Sequence, residues 1–129
     1  MPVALRMVAF ALALALLAGV AWAQEGLAGT WRGVMMTPWG QPMGTETIFF
    51  PNGTYSTASW MGNLRTRHWG RYEVVQNWVH FYLQGAEPRE FCGPQRCTPL
   101  AWPHSETWVL TRFDGNVLET SNGRMERVR

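Results

Sequence analysis

The chain has no lysine, carries few charges of either sign, and contains only two cysteines in 129 residues. All of its non-histidine basic residues are arginine, a compositional habit of the source genome with no structural consequence. With residues 1 to 23 set aside, ten arginines face nine acidic residues for a net charge of +1, and nowhere do the basic residues form a run. That balance excludes nucleic acid as a partner, because phosphate binding needs a concentrated basic patch. Cys92 and Cys97 have no second cysteine pair to complete a zinc site, so no metal is expected. No helix signal occurs after residue 23. No paired carboxylates fall on predicted interior positions, and the neighbours His104, Ser105 and Glu106 would point alternate ways along a strand, so hydrolytic and triad chemistry have no support. The three histidines, His68, His80 and His104, lack metal spacing and read as surface strand and loop residues.

What is present begins with an export signal. Met1 to Arg6 supplies one positive charge, Met7 to Trp22 is almost wholly apolar, and Ala21-Trp22-Ala23 is an A-x-A-like cleavage site. The apolar core, Met7 to Val20, is short for a bilayer span, and no cysteine follows it to carry a lipid. Residues 1–23 are therefore expected to be removed, leaving 24–129 as a single periplasmic or secreted domain with no transmembrane anchor. In that oxidising setting Cys92 and Cys97 are expected to pair across Gly-Pro-Gln-Arg. So short a closed loop adds about 2 kcal/mol in the chain-entropy model, enough to stiffen a loop.

The domain is a succession of hairpins. Gly70 to Leu83 folds back on Gln76-Asn77, which sets Val74 opposite Val79 and Tyr72 opposite Phe81 on an apolar face, with Glu73 opposite His80 and Arg71 opposite Tyr82 on a mixed one. Pro51-Asn52-Gly53 turns another hairpin with Phe49 opposite Tyr55, Thr47 opposite Thr57 and Thr45 opposite Ser59. A first strand runs through Gly29 to Met35, and later ones flank Asp114-Gly115-Asn116 and Asn122-Gly123. Met36 to Gly44 and Gln84 to His104, rich in proline and glycine, are expected to be long loops, the second with a short hairpin around Arg89 to Thr98. The total is about eight short strands, which predicts an all-β fold, a single antiparallel up-and-down barrel. In such a meander every second connection lies at the same end. The turns at Pro51-Asn52-Gly53, Gln76-Asn77 and Asp114-Gly115-Asn116 then share one end, and both long loops share the other with the Gly62 to Leu64 and Asn122 turns.

Gly29-Thr30-Trp31 resembles the G-x-W that opens the first strand of lipocalins. Phe49-x-x-Asn52-Gly53-x-Tyr55 followed by Gly70-Arg71-Tyr72 is similar to small bacterial lipocalin-like, or calycin-like, domains. The resemblance implies structural roles for Gly29 and Trp31, with Arg124 or Arg127 stacking on that tryptophan. It covers most of residues 24–129, which nevertheless lack the helix after the eighth strand and a second lipocalin motif around Asp114.

Seven tryptophans in residues 24–129 are the one real excess. Trp31 and Trp108 read as core, and the others must cover something, whether the barrel mouth, an outer groove or a partner. Together these observations predict a binding protein, not an enzyme, with no cofactor and no catalytic residues. Its expected ligand is a small apolar or amphipathic molecule held at the mouth by Trp39, Trp60 and Trp102 over Tyr72 and Phe81. The competing expectation is a periplasmic protein-binding module, such as an inhibitor of a secreted hydrolase, acting through loops 36–44 and 84–104.

Overall fold

The computed structural model describes residues 26–37 and 40–129; the expected leader, residues 1–23, and Trp39 lie outside them. Ten strands follow one another: β1 Gly29–Met36, β2 Pro42–Phe49, β3 Thr54–Met61, β4 Leu64–Val75, β5 Trp78–Glu87, β6 Glu90–Cys92, β7 Cys97–Pro99, β8 Ser105–Phe113, β9 Val117–Thr120 and β10 Gly123–Arg127. Eight of them close an antiparallel barrel in the order β1-β10-β9-β8-β5-β4-β3-β2, and β6 and β7 form a separate hairpin. Every neighbour in the barrel is a sequence neighbour except at the β5–β8 step and where β10 closes on β1. The chain is therefore the up-and-down meander that its turns imply.

The two central hairpins hold the register that their turns dictate. Val75 pairs with Trp78, Val74 with Val79 and Tyr72 with Phe81, while Phe49 pairs with Tyr55, Thr47 with Thr57 and Thr45 with Ser59. Gln76 adopts a φ of 55°, as a two-residue turn between right-twisted strands demands.

Both long loops are shorter than the proline and glycine content suggests. β1 runs to Met36 and β2 starts at Pro42, so the connection is residues 37–41 and not Met36 to Gly44. Proline costs nothing there because it occupies the first strand position. Thr37 tightens the loop by exchanging hydrogen bonds with Gln41 through its side chain and backbone. Likewise β5 continues to Glu87 past an irregularity: Gly70 pairs with Leu83 but Trp69 pairs with Gly85, so Gln84 is the extra residue of a bulge. The irregular stretch shrinks to 88–104 and contains the β6–β7 hairpin, whose Cys92 and Cys97 are disulfide-bonded.

Inside the barrel, side-chain character changes along the axis. Toward the end with the tight turns, Trp31, Phe49, Tyr72, Val79, Phe81 and Leu118 are almost completely buried. Phe49 meets Tyr72 edge-on at 4.9 Å and Phe81 lies 4.6 Å from Trp108, the geometry aromatic quadrupoles favour. Toward the loop end the inward positions become Thr45, Thr47, Thr57, Ser59 and Thr120. The Thr47 and Thr57 hydroxyls, opposite each other across β2 and β3, satisfy one another at 2.9 Å.

The turn end is closed by Arg127. Its guanidinium lies 4.4 Å from the Trp31 ring centroid and donates to the main-chain oxygens of Gly115, Ala28 and Gly26 at 2.6, 2.7 and 2.5 Å. Of the two arginines that could stack on Trp31, Arg127 does so. Gly29 is fixed by the same contact: its φ is 128°, and a β-carbon there would strike the guanidinium.

Two exposed tryptophans have a structural explanation. Gly44 pairs with Trp60 across β2 and β3, and Trp69 pairs with Gly85 across β4 and β5. In each case the indole occupies the space a β-carbon on the glycine would need. The ring covers backbone that glycine leaves bare on the outer face, a cross-strand contact that stabilises the sheet.

Replacing Arg127 by Ala should cost about 3 kcal/mol or more, because three carbonyls lose charged donors and Trp31 loses its cover. Arg124→Ala, on the same strand with only exposed ion pairs to Glu119 and Glu126, should stay within about 0.5 kcal/mol. Urea unfolding of the two variants measures both; equal losses would contradict the assignment.

Candidate functional site

The loop end of the barrel is open. One cleft of about 600 Å³ descends between Met35, Met43, Thr45, Thr57, Ser59, His68, Glu106 and Trp108 to the Ser121-Asn122 turn. A second of about 360 Å³ lies under residues 100–103 and is bordered by Leu64, Leu100, Trp102 and Pro103. They share Met43, Ser59, His68 and Glu106, so they are two lobes of one chamber. One lobe is lined by hydroxyls and the other is apolar, and the titratable groups stand at the junction.

Alternation places those groups. On β4, His68, Gly70, Tyr72 and Val74 share the inward face, and on β8 Glu106 shares it with Trp108. His68 Nδ1 is hydrogen-bonded to the Tyr55 hydroxyl at 3.0 Å, and its ring lies 5.6 Å from that of Trp102. Burial lowers its pKa to about 4, so the imidazole is neutral at physiological pH. Glu106 accepts a hydrogen bond from Trp108 Nε1 at 3.2 Å. Its carboxyl is crowded by protein yet reaches water through the open chamber. Burial pushes its pKa up, an effect the Trp108 hydrogen bond partly offsets. Tyr55 is shifted upward as well, first by burial and then by the charge of Glu106. Among the described residues no cationic side chain forms an ion pair with Glu106.

The residues singled out from the sequence distribute unevenly around this chamber. Trp102 borders the apolar lobe, anchored by donation from Nε1 to the Pro88 carbonyl at 3.0 Å. Trp60 is at the rim, on the outer face over Gly44. Tyr72 and Phe81 are not the chamber floor. They are buried in the aromatic core and border neither lobe; Trp108, Met35 and Thr57 line the chamber above them. Tyr72 also donates its hydroxyl to the Phe50 carbonyl, a structural bond at the turn end. The expectation that all three histidines are superficial fails for His68, which faces inward. His80 is on the outer side, bonded to Thr107. Glu90 stands near Cys92 and Cys97, but both sulfurs are consumed by the disulfide.

His68 and Glu106 are the site residues that sequence reasoning missed, and the signal for both was strand parity. His68 lies four residues before Tyr72 and Glu106 two before Trp108, each on the same face as a core aromatic. Comparison with protein-family models, with curated proteins and with solved structures finds no match to this chain.

The histidine shift sets a pH dependence. With the folded pKa near 4 and an ordinary value of 6.5, the unfolded chain binds the proton first. His68 thus costs the protein stability progressively as pH falls from 6.5 to 4. Glu106 has the opposite sign: its raised pKa favours folding at low pH, and that advantage is lost as pH rises through the folded value. Across that acidic window, wild type should lose more stability than His68→Gln in denaturant titrations, and NMR should place the imidazole midpoint near 4. A midpoint near the ordinary histidine value would contradict the inward placement.

Proposed function

We propose that this chain is a secreted or periplasmic lipocalin-like binding protein, not an enzyme, that holds a small amphipathic molecule in the open end of its barrel. The observation that carries this reading is the two-lobed chamber, whose hydroxyl-lined and apolar lobes meet at Ser59, His68 and Glu106. Its volume is in the range of small-molecule sites, and its apolar lobe adjoins one rich in hydroxyls. The dense aromatic core beneath provides a rigid floor, so binding need not order the barrel. The Gly29, Trp31 and Arg127 arrangement supports kinship with lipocalins, and the Cys92–Cys97 bond supports an oxidising compartment. Catalysis receives no support from the pair of perturbed groups alone, since His68 and Glu106 share no hydrogen bond through which one could activate the other.

A second reading is favoured by the β6–β7 hairpin. It pairs with no barrel strand, all six of its strand residues are exposed, and Phe91 is half exposed beside the disulfide. A stiffened exposed aromatic of this kind suits insertion into a protein partner, as in an inhibitor of a secreted hydrolase.

A neutral apolar fluorophore, N-phenyl-1-naphthylamine, separates the two. On the first reading the protein binds it saturably, and Trp102→Ala weakens binding about tenfold or more while the melting temperature moves by only a few degrees. Phe91→Ala leaves that binding unchanged. Absence of saturable binding to the wild-type protein would remove the ligand reading.

A further inference from the structure

Among the described residues the chamber has one acidic group, Glu106, and no group that is cationic at neutral pH to match it. Neither lobe is lined by an arginine. Arg65 and Arg67 alternate with inward Thr66 and His68 on β4 and are exposed, with Arg67 against Trp69 and Glu87 on the outside of the barrel. His68 has Nδ1 engaged by Tyr55. The other polar groups that line the two lobes are the hydroxyls of Thr37, Thr45, Thr57, Ser59, Thr66 and Ser121 and the Asn122 amide, each able to accept a hydrogen bond as well as donate one. Each of these features discriminates between head groups. A carboxylate or phosphate ligand would meet Glu106 with no arginine to offset the repulsion. An alcohol would be accepted without being preferred. An ammonium has three donors and no acceptor; it would find a carboxylate, with which it makes a charge-assisted hydrogen bond, and several hydroxyl oxygens.

Resting on the binding reading above, we propose that the ligand is an amphipathic amine, with its ammonium against Glu106 and its apolar body in the lobe formed by Met43, Leu64, Leu100 and Trp102. Trp108 Nε1 takes part of the carboxylate's hydrogen-bonding capacity and fixes its direction. Among the described residues no other hydrogen bond is made to that carboxyl, which leaves lone pairs for the ligand. Glu106 lines both lobes, so a cation in either would lie beside its carboxylate. Trp102, 5.6 Å from the His68 ring, presents an aromatic wall beside the path from the rim.

Displacement of N-phenyl-1-naphthylamine from the mature protein by decylammonium, decanol and decanoate at neutral pH tests this. Decylammonium should compete about tenfold more tightly than decanol, and decanoate should be the weakest of the three. In Glu106→Gln, which keeps an acceptor for Trp108, the advantage of decylammonium over decanol should disappear. The head-group order in the unsubstituted protein is decisive even if the variant does not fold. Equal competition by all three, or an amine preference that survives Glu106→Gln, would overturn the inference while leaving the ligand-binding reading in place. Failure of the fluorophore and all three competitors to bind would overturn both.

Discussion

The barrel depends on how its turn end is sealed. Strands closing into a cylinder leave two openings, and the one near the chain's entry into β1 is stoppered by Trp31 with Arg127 lying on it. The guanidinium draws together three parts of the chain: Gly26 and Ala28 before β1, Gly115 in the β8–β9 turn, and its own position in β10. It satisfies carbonyls that closure would otherwise leave without donors, at the place where β10 and β1 must meet for the sheet to lose its edges. With that end sealed and packed, the opposite end can stay open without exposing the core.

The polarity gradient follows from the same division. Large aromatics fill the lower cross-section, and threonines and serine occupy the corresponding inward positions higher on β2 and β3. Threonine keeps the β-branched shape suited to a strand while bringing a hydroxyl, so the upper wall remains good sheet and becomes wettable. His68 and Glu106 stand at that transition. Their opposite shifts have one cause, burial that disfavours whichever form is charged, and they leave a neutral base and a carboxyl crowded by protein facing a chamber with no arginine among the described residues.

Where local chemistry decided the structure, it was legible in the residues. Gln76-Asn77 and Pro51-Asn52-Gly53 fix two turns, and each turn fixes its hairpin's register, so barrel topology and the end bearing the longer connections both follow. The loop lengths were less accessible. Pro42, Gly44 and Gly85 suggest irregular chain by composition, but β-pairing and the indoles of Trp60 and Trp69 hold them in strands. The Trp60 contact was implicit in the register, one step beyond Thr45 opposite Ser59. The Trp69 contact was not, because the extra residue at Gln84 shifts the pairing. At the loop end, Trp102 borders the apolar lobe as its loop position implies, whereas Tyr72 and Phe81 point inward without lining a cavity. Depth along the barrel axis separates those two properties, and it emerges only when all eight strands are aligned.

The central claim is that small molecules enter the loop end and stop above the aromatic core. The most direct measurement is a residue-resolved NMR titration of residues 24–129 with N-phenyl-1-naphthylamine. The account predicts shifts concentrated at Met43, Ser59, His68, Glu106 and the Trp102 indole, with Trp31, Leu118 and Met125 unmoved. Shifts centred on Trp31 and the Asn52, Asn77 and Asn116 turns, or confined to the outer face, would contradict it.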